Sequence, residues 1–163
     1  MSRQRRRTGP PSSPRIAAEP FDGPDGAELL AGHAAELIHR YGHDTEPGAK
    51  PTAADVTVFL VARDDEGRAL GCGAMRDLEP GVAELKRMYV RPEARGRGLG
   101  RAILEALEDE ARRRDVTVLR LETGHAQHEA VGLYERAGYR RIPCWGAYAE
   151  GDVSICYERE IAG

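Results

Sequence analysis

From Arg87 to Arg101 the chain reads Arg-Met-Tyr-Val-Arg-Pro-Glu-Ala-Arg-Gly-Arg-Gly-Leu-Gly-Arg. An apolar strand here runs into a glycine-rich turn that opens a helix, so any fold adopted must set a helix N-terminus at the end of a strand. Gly96, Gly98 and Gly100 let the backbone come close to a ligand, because no Cβ stands in the way. The first amides of a helix have no partner inside it and lie at the positive end of its dipole. Arg95, Arg97 and Arg101 add formal charge. The segment predicts a diphosphate site. A nucleotide P-loop would need a lysine and a hydroxyl residue after the glycines, and neither follows. A dinucleotide fingerprint starting at Gly96 would need glycine where Arg101 stands.

The elements around this turn alternate between strand and helix. Residues 15–20 can form a first strand. From Ala27 to Tyr41 the apolar positions Leu29, Leu30, Ala34, Leu37 and Ile38 follow helical spacing. Tyr41 to Pro51 is punctuated by glycine and proline and reads as loop. Three strands follow, at 56–62, 69–76 and 82–90, joined by tight turns at Asp64–Gly67 and Glu79–Gly81, which predicts an antiparallel meander. After the glycine turn, Leu99, Ile103, Leu104, Leu107 and Ala111 form the buried stripe of a helix. The strand at 116–122 lies beyond that helix and is expected to run parallel to its predecessor. A helix at about 128–137 and short strands near 139–142 and 153–159 complete the chain.

The 163 residues suit one domain with a real core, and no apolar run approaches the ~20 residues of a membrane span. Cys72, Cys144 and Cys156 are an odd number without close spacing, which predicts reduced thiols and a cytoplasmic protein. Five arginines and no acids occupy residues 1–15, so setting them aside changes the formal net charge from −3 to −8. Residues 1–14 are read as a disordered basic tail and 15–163 as the folded domain. No aromatic residue is interleaved with the tail's arginines to stack on bases, so nucleic acid is not assigned as a partner. His125 and His128, or His39 and His43, have ligand spacing, but no further cysteine or carboxylate completes a metal set, and no metal is expected.

Within the glycine turn the pattern is Arg95-x-x-Gly98-x-Gly100. It resembles the acyl-CoA diphosphate loop of the GNAT acetyltransferase superfamily, Gln/Arg-x-x-Gly-x-Gly/Ala. Glu84 to Val90 looks like that family's central strand. Ala130-Val-Gly-Leu-Tyr-Glu-Arg-Ala-Gly-Tyr139 looks like its following helix and turn. The resemblance covers roughly residues 82–142. It implies one α/β domain with a mixed, mostly antiparallel sheet, splayed central strands and flanking helices. It also implies acetyl-CoA as donor and a primary amine on a small molecule, amino acid or peptide as acceptor. Dimers are common among relatives, and the sequence leaves a homodimer open. A non-catalytic acyl-CoA sensor is the alternative from another class.

The resemblance carries roles over to named positions. The backbone of Met88, Tyr89 and Val90 would pair with pantetheine, provided that the strand near Leu121 to Thr123 diverges. Arg95, Gly96, Arg97, Gly98, Leu99, Gly100 and Arg101 would hold the diphosphate. Gln127 stands where many relatives have asparagine and would donate to pantetheine. Tyr134 matches the tyrosine near the CoA sulfur and would be the acid; the other reading is a core tyrosine. Glu84 lies 11 positions before Arg95, the distance at which some histone-acetylating relatives place a general base. A partly desolvated carboxylate there would have a raised pKa; the other reading is a carboxylate paired with Lys86 or Arg87. His125 and His128 are a second choice of base. On a regular strand Glu84, Lys86, Met88 and Val90 share one face, and Leu85, Arg87 and Tyr89 the other, unless a bulge intervenes. For the acceptor pocket, residues 42–54 and Pro143–Gly151 supply Trp145 and Tyr148 as walls, and Asp44, Glu46 and Glu150 as attraction for a cation.

Overall fold

In a computed structural model of the chain the structure describes residues 14–161. The predicted tail lies outside the described residues except for Pro14. Seven strands form a single sheet in the order β1-β2-β3-β4-β5-β7-β6. They are β1 (Arg15–Ala18), β2 (Val58–Arg63), β3 (Ala69–Glu79), β4 (Val82–Val90), β5 (Val118–Gly124), β6 (Arg140–Ile142) and β7 (Ser154–Glu160). The helices are α1 (Pro24–Tyr41), α2 (Leu99–Arg113) and α3 (His128–Arg136). The meander β1-β2-β3-β4 is antiparallel, β4 and β5 are parallel, and β7 pairs antiparallel with both β5 and β6. The sheet is thus mixed and mostly antiparallel, as the sequence predicts. Helix α1 begins earlier than its apolar spacing suggests, because Pro24 occupies the first turn, where a missing N–H costs nothing.

The two faces of the sheet carry separate cores. On one, Ile103, Leu104, Leu107 and Ala111 of α2 and Tyr134 of α3 pack with Ala83, Leu85, Leu119 and Leu121. On the other, Leu29 of α1 packs with Phe59, Val61, Cys72 and Ala74. The α2 stripe is buried at every predicted position.

The strand regularity expected of β4 fails at one place. Cys72 pairs with Tyr89 but Ala74 pairs with Lys86, so β4 holds one extra residue opposite Gly73. Arg87 sits in that bulge with φ of 58°, rare for a residue with a Cβ. The bulge reverses the alternation beyond it. Met88 and Val90 pack with the α2 core beside Leu85, while Tyr89 joins the α1 side. The bulge that the sequence reading left open is present, so Met88 and Val90 do not share a face with Glu84 and Lys86. Gly73 makes the reversal possible: a Cβ there would stand 2.6 Å from Met88 Sδ and 2.7 Å from Leu107 Cδ1.

The cysteine reading is corrected. Cys144 and Cys156 form a disulfide, with Cα atoms 5.1 Å apart. Antiparallel pairing sets Ile142 opposite Cys156, which brings Cys144 within reach, and that register is invisible in the spacing. Cys72 stays free and buried, and burial pushes its thiol up to about 12. No helix among the described residues is long and apolar enough to cross a membrane.

Gly73→Ala should overpack the contact behind the bulge and lower stability by about 1–3 kcal/mol, measured as a drop in the urea midpoint at unchanged m-value. A stability within ~0.3 kcal/mol of the parent would mean that Met88 does not depend on this space.

Candidate active site

Beyond Leu85 and Leu121, the last register pair between them, β4 and β5 part. The bulge at Arg87 lies two residues beyond this last pair, so β4 is redirected just past the point where the strands separate. The separation frees one edge of Met88 to Val90, and the sequence expectation of splayed central strands holds. Beside the opening lies a groove of about 530 Å³. Its lining takes in Met88, Tyr89 and Val90 of β4 and Gln127, Leu133 and Tyr134 from the α3 region.

At one end of the groove the chain turns through Pro92–Ala94 into the glycine loop. Gly96 and Gly98 have φ of 80° and 77°, values that glycine adopts without strain. Gly98 is the N-cap of α2, and no side chain caps that helix. Nothing lies within 4 Å of a Cβ built at either glycine, so the loop faces open space. Of the predicted cofactor residues, Met88, Tyr89, Val90, Arg95, Gly96, Gly98, Leu99, Gly100, Arg101 and Gln127 line the groove. Arg97 is not among the lining residues; its guanidinium donates to the Glu93 carbonyl. Arg95 is already engaged, by Glu36 of α1 at 2.5 Å and by the Val90 carbonyl at 2.9 Å. Glu36 also pairs with Arg40, which reaches Glu129 of α3. Gln127 accepts from the Gly124 amide through Oε1, leaving its Nε2 hydrogens for a ligand.

Tyr134 is 4 % exposed and lines the groove. Among the described residues its hydroxyl has no hydrogen-bond partner. Burial raises its pKa well above the usual phenol value, and the charge of Glu122 adds to the shift. His33 stacks on Tyr89 at 5.4 Å in the same groove. Burial, aided by Arg87, lowers its pKa to about 4, so it is neutral at pH 7.

Glu84 has a different setting from the one its position suggested. It is fully buried and lies outside the groove lining. Arg76 Nε donates to one oxygen at 2.6 Å and the Tyr148 hydroxyl to the other at 2.8 Å. Its ion-pair partner is thus Arg76, not Lys86 or Arg87. Lys86 reaches the same cluster by donating to Tyr148 at 2.7 Å. With both oxygens engaged and no exposure, Glu84 is poorly placed to take a proton from a diffusing amine.

A carboxylate that the sequence reading passed over lies past the last β4–β5 pair, although it too is outside the groove lining. Glu122 is the first residue of β5 past its last pair with β4. One oxygen accepts from Ser154 at 2.9 Å. Burial raises its pKa, the Ser154 bond working against the shift. Leu119 and Leu121 face the α2 core, so strand alternation turns Glu122 to the other face. That alternation was the available signal: a carboxylate in mid-strand, where the strand was expected to diverge.

The acceptor-side expectations divide. Tyr148 is buried and Trp145 packs edge-on against it at 5.3 Å, so the two predicted aromatics lie together. The disulfide secures this segment next to Glu122, since Cys156 lies opposite Glu122 across β5 and β7. Of the predicted acidic residues, Glu46 makes a two-pronged ion pair with Arg87, and Asp44 pairs with Lys50. Glu150 is exposed at the end of its turn. His125 packs edge-on to Tyr41 at 5.9 Å, and His128 is exposed at the start of α3.

Known proteins share this fold and parts of this sequence. Residues 31–139 match the Acetyltransferase (GNAT) family. The IAA acetyltransferase of Azospirillum brasilense is 42 % identical over 134 residues, 77 % of this chain and 87 % of that protein. A Klebsiella pneumoniae protein described as an acyl-CoA N-acyltransferase is 33 % identical with a TM-score of 0.78, covering 91 % of this chain and 97 % of its own. A GNAT family acetyltransferase from Elizabethkingia anophelis, crystallised with acetyl-CoA bound, has the same fold at 18 % identity, with a TM-score of 0.67 over 90 % of this chain and 97 % of its own.

Gly98→Asp would set a carboxylate in the open space before α2 and cost roughly 1–2 kcal/mol of backbone strain. The expected result is loss of measurable coenzyme A binding by calorimetry in a protein that still unfolds cooperatively. Binding at parental affinity would remove the glycine loop from the site.

Proposed function

The chain belongs to the GNAT family of acetyltransferases, and from that membership we propose that it is an N-acetyltransferase moving the acetyl group of acetyl-CoA to a primary amine. Transfer is direct, with both substrates bound. The observation that carries this reading is the parting of β4 and β5 next to an uncapped, glycine-rich helix start. The diphosphate is held by the amides of the loop and by Arg95 and Arg101. Arg95 must then exchange Glu36 for phosphate oxygens. Pantetheine has two amides and pairs with the freed backbone of Met88 to Val90 as an added strand would. The Gln127 amide donates from the α3 side.

With the thioester in the opening, the amine lone pair attacks the carbonyl carbon to form the C–N bond. A backbone amide of the freed β4 edge stabilises the oxyanion. Collapse breaks the C–S bond, and the departing thiolate takes the hydroxyl proton of Tyr134. That phenol has no competing partner among the described residues and stays protonated at neutral pH. The proton lost by the amine goes to Glu122, directly or through water, in place of the Glu84 suggested by position alone. A carboxylate with a raised pKa is a stronger base than an exposed one. The acetyl group leaves on nitrogen, and coenzyme A leaves as the free thiol.

The test is thiol release from acetyl-CoA in the presence of a panel of amines. Acceptor-dependent release is expected; tight coenzyme A binding with none would favour a sensor. Tyr134→Phe should lower kcat about 10-fold or more with acetyl-CoA affinity changed less, and an unchanged kcat would return Tyr134 to a packing role. Glu122→Gln should lower kcat by roughly 10²–10⁴. It should also remove the rising limb of the kcat profile, which the raised pKa sets above the ordinary carboxylate range. A variant that keeps that limb would rule out Glu122 as the base.

A further inference from the structure

Lys86 and Glu122 occupy matching places. Glu84 and Arg120 are register partners in the parallel pair, and Lys86 and Glu122 lie one full alternation further along the same face, just where the strands part. Each other basic side chain around them has a carboxylate within ion-pair distance: Arg76 has Glu84, Arg87 has Glu46, and Arg120 has Glu158. Lys86 has none among the described residues. Its hydrogen bond goes to the Tyr148 hydroxyl, and its ammonium lies over the Tyr148 ring, 5.4 Å from the centroid. An ammonium has three donors, so two remain. A half-buried cation without a counter-ion is costly to maintain unless something supplies the charge. Burial lowers its pKa, and the charges of Glu84 and Glu46, although beyond ion-pair distance, work against that shift. Glu122 likewise has no cation within ion-pair distance among the described residues. The charge of Lys86 acts on Glu122, working against the rise that burial causes in its pKa. One positive and one negative group, neither in an ion pair among the described residues, thus stand on one face where the strands part, with the Tyr148 ring against the positive one.

We propose that Lys86 binds a carboxylate on the acceptor, and that the acceptor is a small zwitterion such as an α-amino acid, whose amine is turned toward Glu122. This rests on the N-acetyltransferase reading above and names its substrate class. The acceptor carboxylate supplies the counter-ion that Lys86 lacks, and the ammonium-to-amine proton lies on the side of the base. An amine without a carboxylate leaves Lys86 buried and unpaired, so it binds less well. The Trp145 and Tyr148 wall accommodates an apolar side chain.

The test compares acceptor pairs that differ only in the acid: phenylalanine against its methyl ester, and methionine against its methyl ester. Full-length protein is assayed by thiol release, with rates corrected for the fraction of free amine. The expected result is a kcat/KM at least 10-fold higher for the acids, chiefly through KM. Lys86→Gln should shrink that preference at least 10-fold, and Lys86→Arg should keep part of it. Equal or better use of the esters by the parent protein overturns the proposal while leaving the N-acetyltransferase reading intact. Equal losses on acid and ester in Lys86→Gln also overturn it, since a purely structural Lys86 would lower both alike. Absence of thiol release with every amine of either kind overturns the N-acetyltransferase reading and this inference with it.

Discussion

The extra residue in β4 opposite Gly73 governs the rest of the structure. Backbone N–H and C=O groups that leave a sheet must find other partners. A strand that separates from its neighbour in mid-sheet therefore needs either a ligand or solvent along the freed edge. Here β4 keeps its bonds to β3 and loses β5, so only one of its edges is opened. The bulge turns Met88 and Val90 into the α2 core, which anchors the freed segment on the side away from the acceptor face. Without that anchoring, an opened strand end would fray. With it, the edge stays extended and ready to pair.

Among the described residues, charge on the proposed acceptor face follows one rule with two exceptions. Arg76, Arg87 and Arg120 are each matched to a glutamate. A matched buried pair roughly breaks even energetically, so its value here is positional. Arg76 and Glu84 hold Tyr148, and Arg87 with Glu46 ties the loop after α1 to the bulge. Lys86 and Glu122 are the unmatched members, and both sit where the sheet opens. Unmatched charges in a partly dry setting are poorly tolerated in a purely structural role, which is why the chemistry is assigned to them and not to the better-buried Glu84.

Local rules made most of the fold legible. The α2 stripe, the meander and the parallel strand after α2 follow from periodicity and tight turns. The glycine loop was legible because Gly96 and Gly98 need conformations that other residues avoid. The parting of β4 and β5 was not in the residues themselves and came from the family resemblance. The bulge at Arg87 escaped because a non-glycine residue at positive φ leaves no compositional mark, and one extra residue exchanges the faces of all that follow. Cross-strand partners escaped for the same reason. Arg76 meets Glu84 through a hairpin whose pairing shifts by one residue between Asp77 and Glu79. The Cys144–Cys156 pair needed the β6–β7 register.

Helix α1 joins the two halves of the site. Glu36 and Arg40, one turn apart, connect the glycine loop through Arg95 to α3 through Glu129. The same helix ends at Tyr41, whose hydroxyl accepts from the Ala126 amide, and Gly124 has no Cβ to block that ring, since one there would lie 1.8 Å from the hydroxyl oxygen. The loop that follows carries Glu46 to Arg87. One helix thus forms a wall of the donor groove and sets the border of the acceptor face. When Arg95 turns from Glu36 to a diphosphate, Glu36 keeps Arg40 as its remaining partner, so the helix need not leave α3. Because a released carboxylate in that place still has a cation beside it, the exchange at Arg95 costs less than breaking an isolated pair would. Donor binding is thereby compatible with an acceptor face that holds its shape.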